Sequence, residues 1–199
     1  MLNPTSSCTL KWPEEIWMTG KGPHLFKYNW DFAGTFRLGV NEAALFTPWV
    51  SAVIAMDYGV WDNLVEKLVD KSILVLMEQG ILRKEYTAAF SNMFRFVTET
   101  HVPSGYETAP AGVWLAGLFG VKKIHFVGFD AMSYSRADHA RKGSPYDERL
   151  RVMDKEKRNH YDYEPINNHI WRALKRFNIE PIWEHTSEML VNPFVKENT

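Results

Sequence analysis

Ser104-Gly105-Tyr106-Glu107-Thr108-Ala109-Pro110-Ala111 opens an apolar helical pattern over 107–119, and Lys123-Ile124-His125-Phe126-Val127-Gly128-Phe129-Asp130 follows it directly. The first stretch reads as a turn and a helix entrance, the second as a buried strand ending on a carboxylate. Small residues at a helix entrance leave backbone N–H groups open to an anion, and the helix dipole favours negative charge there. A strand that runs into Gly-x-Asp presents a polar side chain at the carboxyl edge of a sheet, where open α/β folds bind ligands. A second glycine turn, Gly20-Lys21-Gly22-Pro23, follows another short β-like run, Glu15–Thr19.

Working outward, Phe36–Val40 is a strand candidate that ends on Asn41, and Ser51–Met56 is one that ends on Asp57. Ser72–Met77 is a continuous apolar run, as expected of a strand covered on both faces. Phe94–Thr98 and Ile179–Trp183 complete the strands, the last despite Pro181. Trp61, Leu64, Leu68 and Val69 give helical spacing over 60–70, Ala43–Phe46 suggests one helical turn, and Ile166, Ile170, Leu174 and Phe177 give a helix over 165–177. Residues 131–160 are polar and charged, contain Gly143 and Pro145, and show no periodicity, so they read as a lid-like loop. Strands alternating with helices predict an α/β fold: one Rossmann-like, doubly wound, mainly parallel sheet over 15–199, with 1–14 as a lead-in broken by Pro4 and Pro13.

Composition sets the boundaries of function. A chain of 199 residues with 45% hydrophobic and 24% charged residues suits one globular domain. A formal net charge of −1 gives no overall attraction to nucleic acid or to an anionic membrane. Arginines and lysines from Arg136 to Arg158 alternate with acidic residues, the pattern of a solvated loop; a nucleic-acid acceptor requires them to gather on one face. Cys8 is the only cysteine, which excludes an intramolecular disulfide and a cysteine-based metal site. His139, His160, His169 and His185 match no compact metal-ligand spacing, so no metal site is predicted. Neither a leader pattern nor a membrane-length apolar run is present, and the reading is a soluble, cytoplasmic protein.

Four polar groups directly follow strand candidates: Gly20-Lys21-Gly22, Asn41, Asp57 and Asp130; the Ser104-Gly105 turn adds a fifth. Parallel strands point their carboxyl ends the same way, so all five converge on one sheet edge, as a nucleotide pocket requires. Amides around Gly20–Gly22 suit a phosphate and Lys21 its charge. Asn41 offers a donor and an acceptor to a base or ribose, and Asp57 suits ribose hydroxyls or a metal. Each also has a local reading. Asn41, Asp57 and Asp130 are good helix or loop caps, and Ser104 with Glu107 three residues on forms a capping box.

The order Gly-x-Gly-Pro, strand–Asn, strand–Asp, Ser-Gly–helix and Lys-x-Ile-x-x-x-Gly-x-Asp resembles the bacterial sialyltransferases that decorate lipooligosaccharide. It is similar, too, to the wider Rossmann-like group with flagellin-glycosylation and 6-hydroxymethylpterin pyrophosphokinase-like proteins. The likeness extends to Asn159-His160-Tyr161, Asn167-Asn168 and Leu174-Lys175-Arg176-Phe177-Asn178-Ile179, covering about residues 15–190 with 60–100 and 131–158 poorly matched. The resemblance implies that Gly20, Gly22, Asn41, Ser104 and the Asp57 position hold the nucleotide donor, with Tyr134 and Tyr146 in the lid. This chain departs from the pattern at Lys21, where Asn is usual, at His24, where Ser is usual, and near Glu164, where by motif spacing the family's catalytic histidine falls.

The reaction so implied transfers a sugar from a nucleotide-activated donor to a hydroxyl acceptor, a saccharide or a modified nucleic acid. His160 or Glu164 removes the acceptor proton while the phosphate leaves. An imidazole titrates near neutral pH, which favours His160; Glu164 requires burial to raise it. Lys21, with Arg136, Arg141 or Arg158, stabilises the departing phosphate without a metal. Two alternatives stay open: a pyrophosphokinase-like enzyme with Mg²⁺ on Asp57 and Asp130, and a non-catalytic nucleotide-binding module. Tyr161 and Tyr163 are candidates for acceptor stacking, whereas Trp114 reads as helix packing.

Overall fold

The computed structural model describes residues 11–22, 25, 28–68, 72–129 and 164–184. Its centre is a seven-stranded sheet built from β1 (Glu15–Thr19), β2 (Arg37–Val40), β3 (Ala52–Ala55), β4 (Leu74–Glu78), β5 (Met93–Phe96), β6 (Lys123–Val127) and β7 (Glu180–Trp183). The strand order is β5-β4-β3-β2-β1-β6-β7, and every pairing is parallel. The mainly parallel sheet expected from sequence is thus wholly parallel among the described residues. Its inner strands are largely apolar runs because both faces are covered.

Alternation sorts the strand residues between two cores. Ile16, Met18, Leu38, Ile54, Leu76, Ile124 and Phe126 face one way, towards helices α3 (Thr108–Leu118) and α4 (Glu164–Phe177). Val53, Ala55, Val75 and Met77 face the other way, towards Val60, Trp61, Leu64 and Leu68 of α1 (Tyr58–Leu68) and Tyr86 of α2 (Lys84–Ala89). Helices on both faces make the fold doubly wound. A third cluster of Trp17, Leu25, Ala43 and Val127 lies beside β1, with Tyr28, Trp30 and Phe46 against it.

Several boundaries moved for local reasons. The expected strand over 94–98 begins at Met93 and stops at Phe96, because Glu99 turns the chain with a φ of 71° and Thr98 bridges Val102 instead. The turn expected over 43–46 is a 3-10 helix over Asn41–Leu45. Helix α2 was not expected; of its six residues only Tyr86 is buried, so it leaves no periodic signal. Pro181 is tolerated because β7 is an edge strand and that position needs no second ladder.

The connections fix where a ligand can sit. From β5 at one edge the chain crosses the sheet through α3 and enters β6 beside β1. Strand order therefore reverses between β1 and β6, and the carboxyl ends of those strands flank the crevice that such folds use for ligands. Helices α3 and α4 each lead into the amino end of a strand, so both run antiparallel to the sheet and start at its carboxyl edge. Gly112 brings α3 close: a Cβ there would sit 2.7 Å from Met18 Cε, 3.5 Å from Leu38 Cδ2 and 3.4 Å from Ile54 Cγ2.

Candidate functional site

The crevice is closed at its floor by backbone. Gly20 N–H donates to Val127 O at 2.8 Å, and Gly22 N–H to Gly128 O at 2.6 Å. A Cβ on Gly20 would meet Gly128 O at 2.6 Å, and one on Gly128 would meet Gly20 O at 2.6 Å. These glycines let the loops after β1 and β6 touch. The expectation that the Gly20 and Gly22 amides cradle a phosphate is corrected here: both already have carbonyl acceptors. Beneath them Thr47 Oγ1 donates to Ala43 O at 2.8 Å, and Thr19 Oγ1 lies 2.7 Å from Thr47 Oγ1.

Lys21, expected to balance a phosphate, pairs with Glu42. Its Nζ lies 2.8 Å from Glu42 Oε2, and Glu42 is only 1% exposed. Glu42 escaped sequence reasoning because an acidic residue in a short helical turn is usually solvated. Only its burial shows that it needs a cation.

Asn41 stands at the end of β2 with a φ of 54°, a left-handed conformation that Asn tolerates better than most residues. It caps nothing: Val40 occupies the cap position of the following 3-10 helix, with no side-chain cap. Among the described residues the buried Asn41 Oδ1 has no hydrogen-bond partner. Asp57 is exposed after β3, and its carbonyl accepts the amides of Val60 and Trp61 at 3.2 and 3.1 Å to open α1.

Ser104 and Gly105 are exposed in a turn where Gly105 takes a φ of 78°. The capping-box expectation for Ser104 is corrected, because α3 starts at Thr108 with Glu107 in the cap position and no side-chain cap. Pro110 lacks an N–H, and the amides ahead of Ala111 have no partner within the helix. Gly112 sits above Met18, Leu38 and Ile54, and the helix rises about 1.5 Å per residue. The first turn of α3 therefore projects about 6 Å past that contact, towards Gly20, Asn41 and Asp57. The uncapped helix end, the Asn41 amide and the glycine turn thus share one edge.

Beside that helix end lies a group the sequence did not disclose. The His169 ring, on α4, stacks on Tyr106 with centroids 4.5 Å apart at 19°, and its Nδ1 is 3.4 Å from Glu107 Oε2. Tyr106 is buried, packs edge-on against Trp114, and burial raises its hydroxyl pKa above the ordinary value against a smaller opposing effect of Arg172. These partners are 62 residues apart along the chain, so no local pattern could pair them.

A second histidine is differently placed. His125 stacks flat on Trp17 at 4.2 Å, with Nε2 2.6 Å from Glu15 Oε1 and Nδ1 2.7 Å from Glu184 Oε1. The hydrogen bond from His125 holds the Glu15 carboxyl below its usual range, aided by Lys123. This cluster faces away from α3 and ties β1, β6 and β7 together.

No family model matches the chain, and no curated protein or solved structure matches it significantly. The functional reading therefore rests on the site itself and on the order of motifs. Of the predicted residues, Gly20, Lys21, Gly22, Asn41, Asp57, Ser104 and Gly105 follow strands or precede α3 as expected. Glu164 is the first residue of α4. Asp130 and His160 lie outside the described residues, as do Tyr134, Arg136, Arg141, Tyr146, Arg158, Tyr161 and Tyr163. Among the described residues no group of three or more His, Cys, Asp or Glu is placed to hold a metal ion, and no helix is long and apolar enough to cross a membrane.

Proposed function

We propose that the carboxyl edge binds the nucleotide of an activated sugar, and that the protein is a sialyltransferase-like glycosyltransferase acting on a hydroxyl acceptor. Asn41 carries the reading. A buried acceptor without a donor costs about 1–3 kcal/mol, and this one sits beside the crevice where strand order reverses. A base amino group or a ribose hydroxyl supplies the missing donor. The uncapped first turn of α3 supplies amides and a positive dipole end for the phosphate. The order of motifs supports a sugar nucleotide over other phosphate ligands. A Mg²⁺-dependent pyrophosphokinase-like reaction is the second reading, favoured by the exposed Asp57 carboxylate at the end of β3.

Thermal melting with cytidine and uridine mono- and diphosphate sugars, each with and without Mg²⁺, tests the proposal. A sugar nucleotide at a hundred times its Kd stabilises the native state by about 2.7 kcal/mol. Asn41→Gly keeps the left-handed backbone and removes the amide, so it weakens that binding by about 2–10-fold. Failure of every sugar nucleotide to shift melting overturns the proposal. Binding that needs Mg²⁺ and is lost in Asp57→Asn favours the second reading.

A further inference from the structure

We infer that His169 and Glu107 form the proton-transfer pair of this site, with His169 as the general base. The inference rests on the glycosyl-transfer reading above and replaces His160 and Glu164 in the role assigned to them from sequence. Three observations converge on it. The imidazole is held by its stack on the buried Tyr106. Its Nδ1 faces the Glu107 carboxylate, so the neutral ring keeps its proton on Nδ1 and leaves Nε2 basic. Its side chain is 20% exposed, and among the described residues Nε2 has no hydrogen-bond partner. An oriented base with an open nitrogen is the arrangement that nucleophile activation requires.

The position suits the task. Glu107 is the cap residue of α3, so the pair adjoins the uncapped amides proposed to take the phosphate. Tyr106 and Glu107 face the ring from the α3 entrance, and Arg172 is the charged neighbour from α4, close enough to affect Tyr106. In the step, His169 Nε2 takes the proton of the acceptor hydroxyl. The oxygen lone pair forms the bond to the anomeric carbon, the bond from that carbon to the phosphate oxygen breaks, and its electron pair stays on the phosphate. Nδ1–H donates to Glu107 throughout, and the proton on Nε2 then passes to water. When water is the acceptor, the same step hydrolyses the donor.

His125 provides an internal contrast. Both of its nitrogens face carboxylates and its side chain is 11% exposed, so it has no open nitrogen. The experiment uses the full chain. Diethyl pyrocarbonate labelling followed by peptide mass spectrometry reads nucleophilic nitrogens without a substrate; His169 is labelled faster than His125, because its Nε2 is open while both nitrogens of His125 are engaged. Turnover is then followed with the sugar nucleotide that gives the largest melting shift. His169→Ala and His169→Gln lower it by about 10²–10⁴-fold, retain nucleotide binding, and imidazole in solution restores part of the rate to His169→Ala. Glu107→Gln lowers turnover with less effect on binding.

Equal labelling of His169 and His125 overturns the pair. So does unchanged turnover in both His169 variants with binding intact, whereas absence of any nucleotide-sugar binding by the wild type overturns the glycosyl-transfer reading itself. The Gln variant and nucleotide binding separate lost chemistry from lost folding.

Discussion

Replacing Lys21 with methionine leaves the Glu42 carboxylate without its cation. Glu42 is 1% exposed and the Lys21 side chain 16%, at a separation of 2.8 Å, so water does little to screen the pair. Removing one partner of such a pair costs about 3–5 kcal/mol, whereas removing both is often neutral or stabilising. For a chain of this size each kcal/mol moves melting by about 2–4 °C, so Lys21→Met lowers Tm by roughly 6–20 °C. Lys21→Met/Glu42→Met recovers most of that loss. Urea unfolding followed by tryptophan fluorescence gives the three stabilities, with m checked for constancy. A double variant as unstable as Lys21→Met, or a single variant that loses less than about 1 kcal/mol, shows that Glu42 does not depend on Lys21 as its cation.

Two further perturbations probe the frame around the site. Gly128→Ala puts a methyl group 2.6 Å from Gly20 O at a φ of 70°; left-handed backbone alone costs about 1–2 kcal/mol, and a fall in urea midpoint larger than that cost is expected, with nucleotide binding weakened too. The Glu15 carboxyl is held below its ordinary 4.5 by His125, so its contribution is present above that value and fades as pH falls through the lowered one. Glu15 is 43% exposed, which limits the effect to under about 1 kcal/mol. The wild type should therefore melt above Glu15→Gln near neutral pH and converge with it in acid, and a gap that widens in acid contradicts the assignment.

Strands were legible because burial on both faces writes them as apolar runs: Glu15–Thr19 coincides with β1, and the run over 72–77 overlaps β4. Helix α3 was legible for its small, apolar residues, six of which are buried. What stayed hidden depends on contacts between distant segments. Lys21 and Glu42 lie 21 residues apart and His169 and Glu107 62, so no spacing rule pairs them. The Ser104–Glu107 box misled because its sequence signature says nothing of Gly105's positive φ or of the extended backbone at Glu107, which delay the helix to Thr108. Gly20 and Gly22 carried a phosphate-loop signature. Their amides serve Val127 at the end of β6 and Gly128 just after it, a use that the strand order alone reveals.

The proposed nucleotide site lies at the carboxyl edge, over Asn41 and the first turn of α3. Backbone amide shifts in ¹⁵N-labelled protein, titrated with cytidine and uridine nucleotides, test it residue by residue. The largest shifts are expected at Asn41, Thr108 and Ala109, with the Trp49 amide on the opposite edge unmoved. Shifts centred on Trp49, or none at saturating nucleotide, would contradict it.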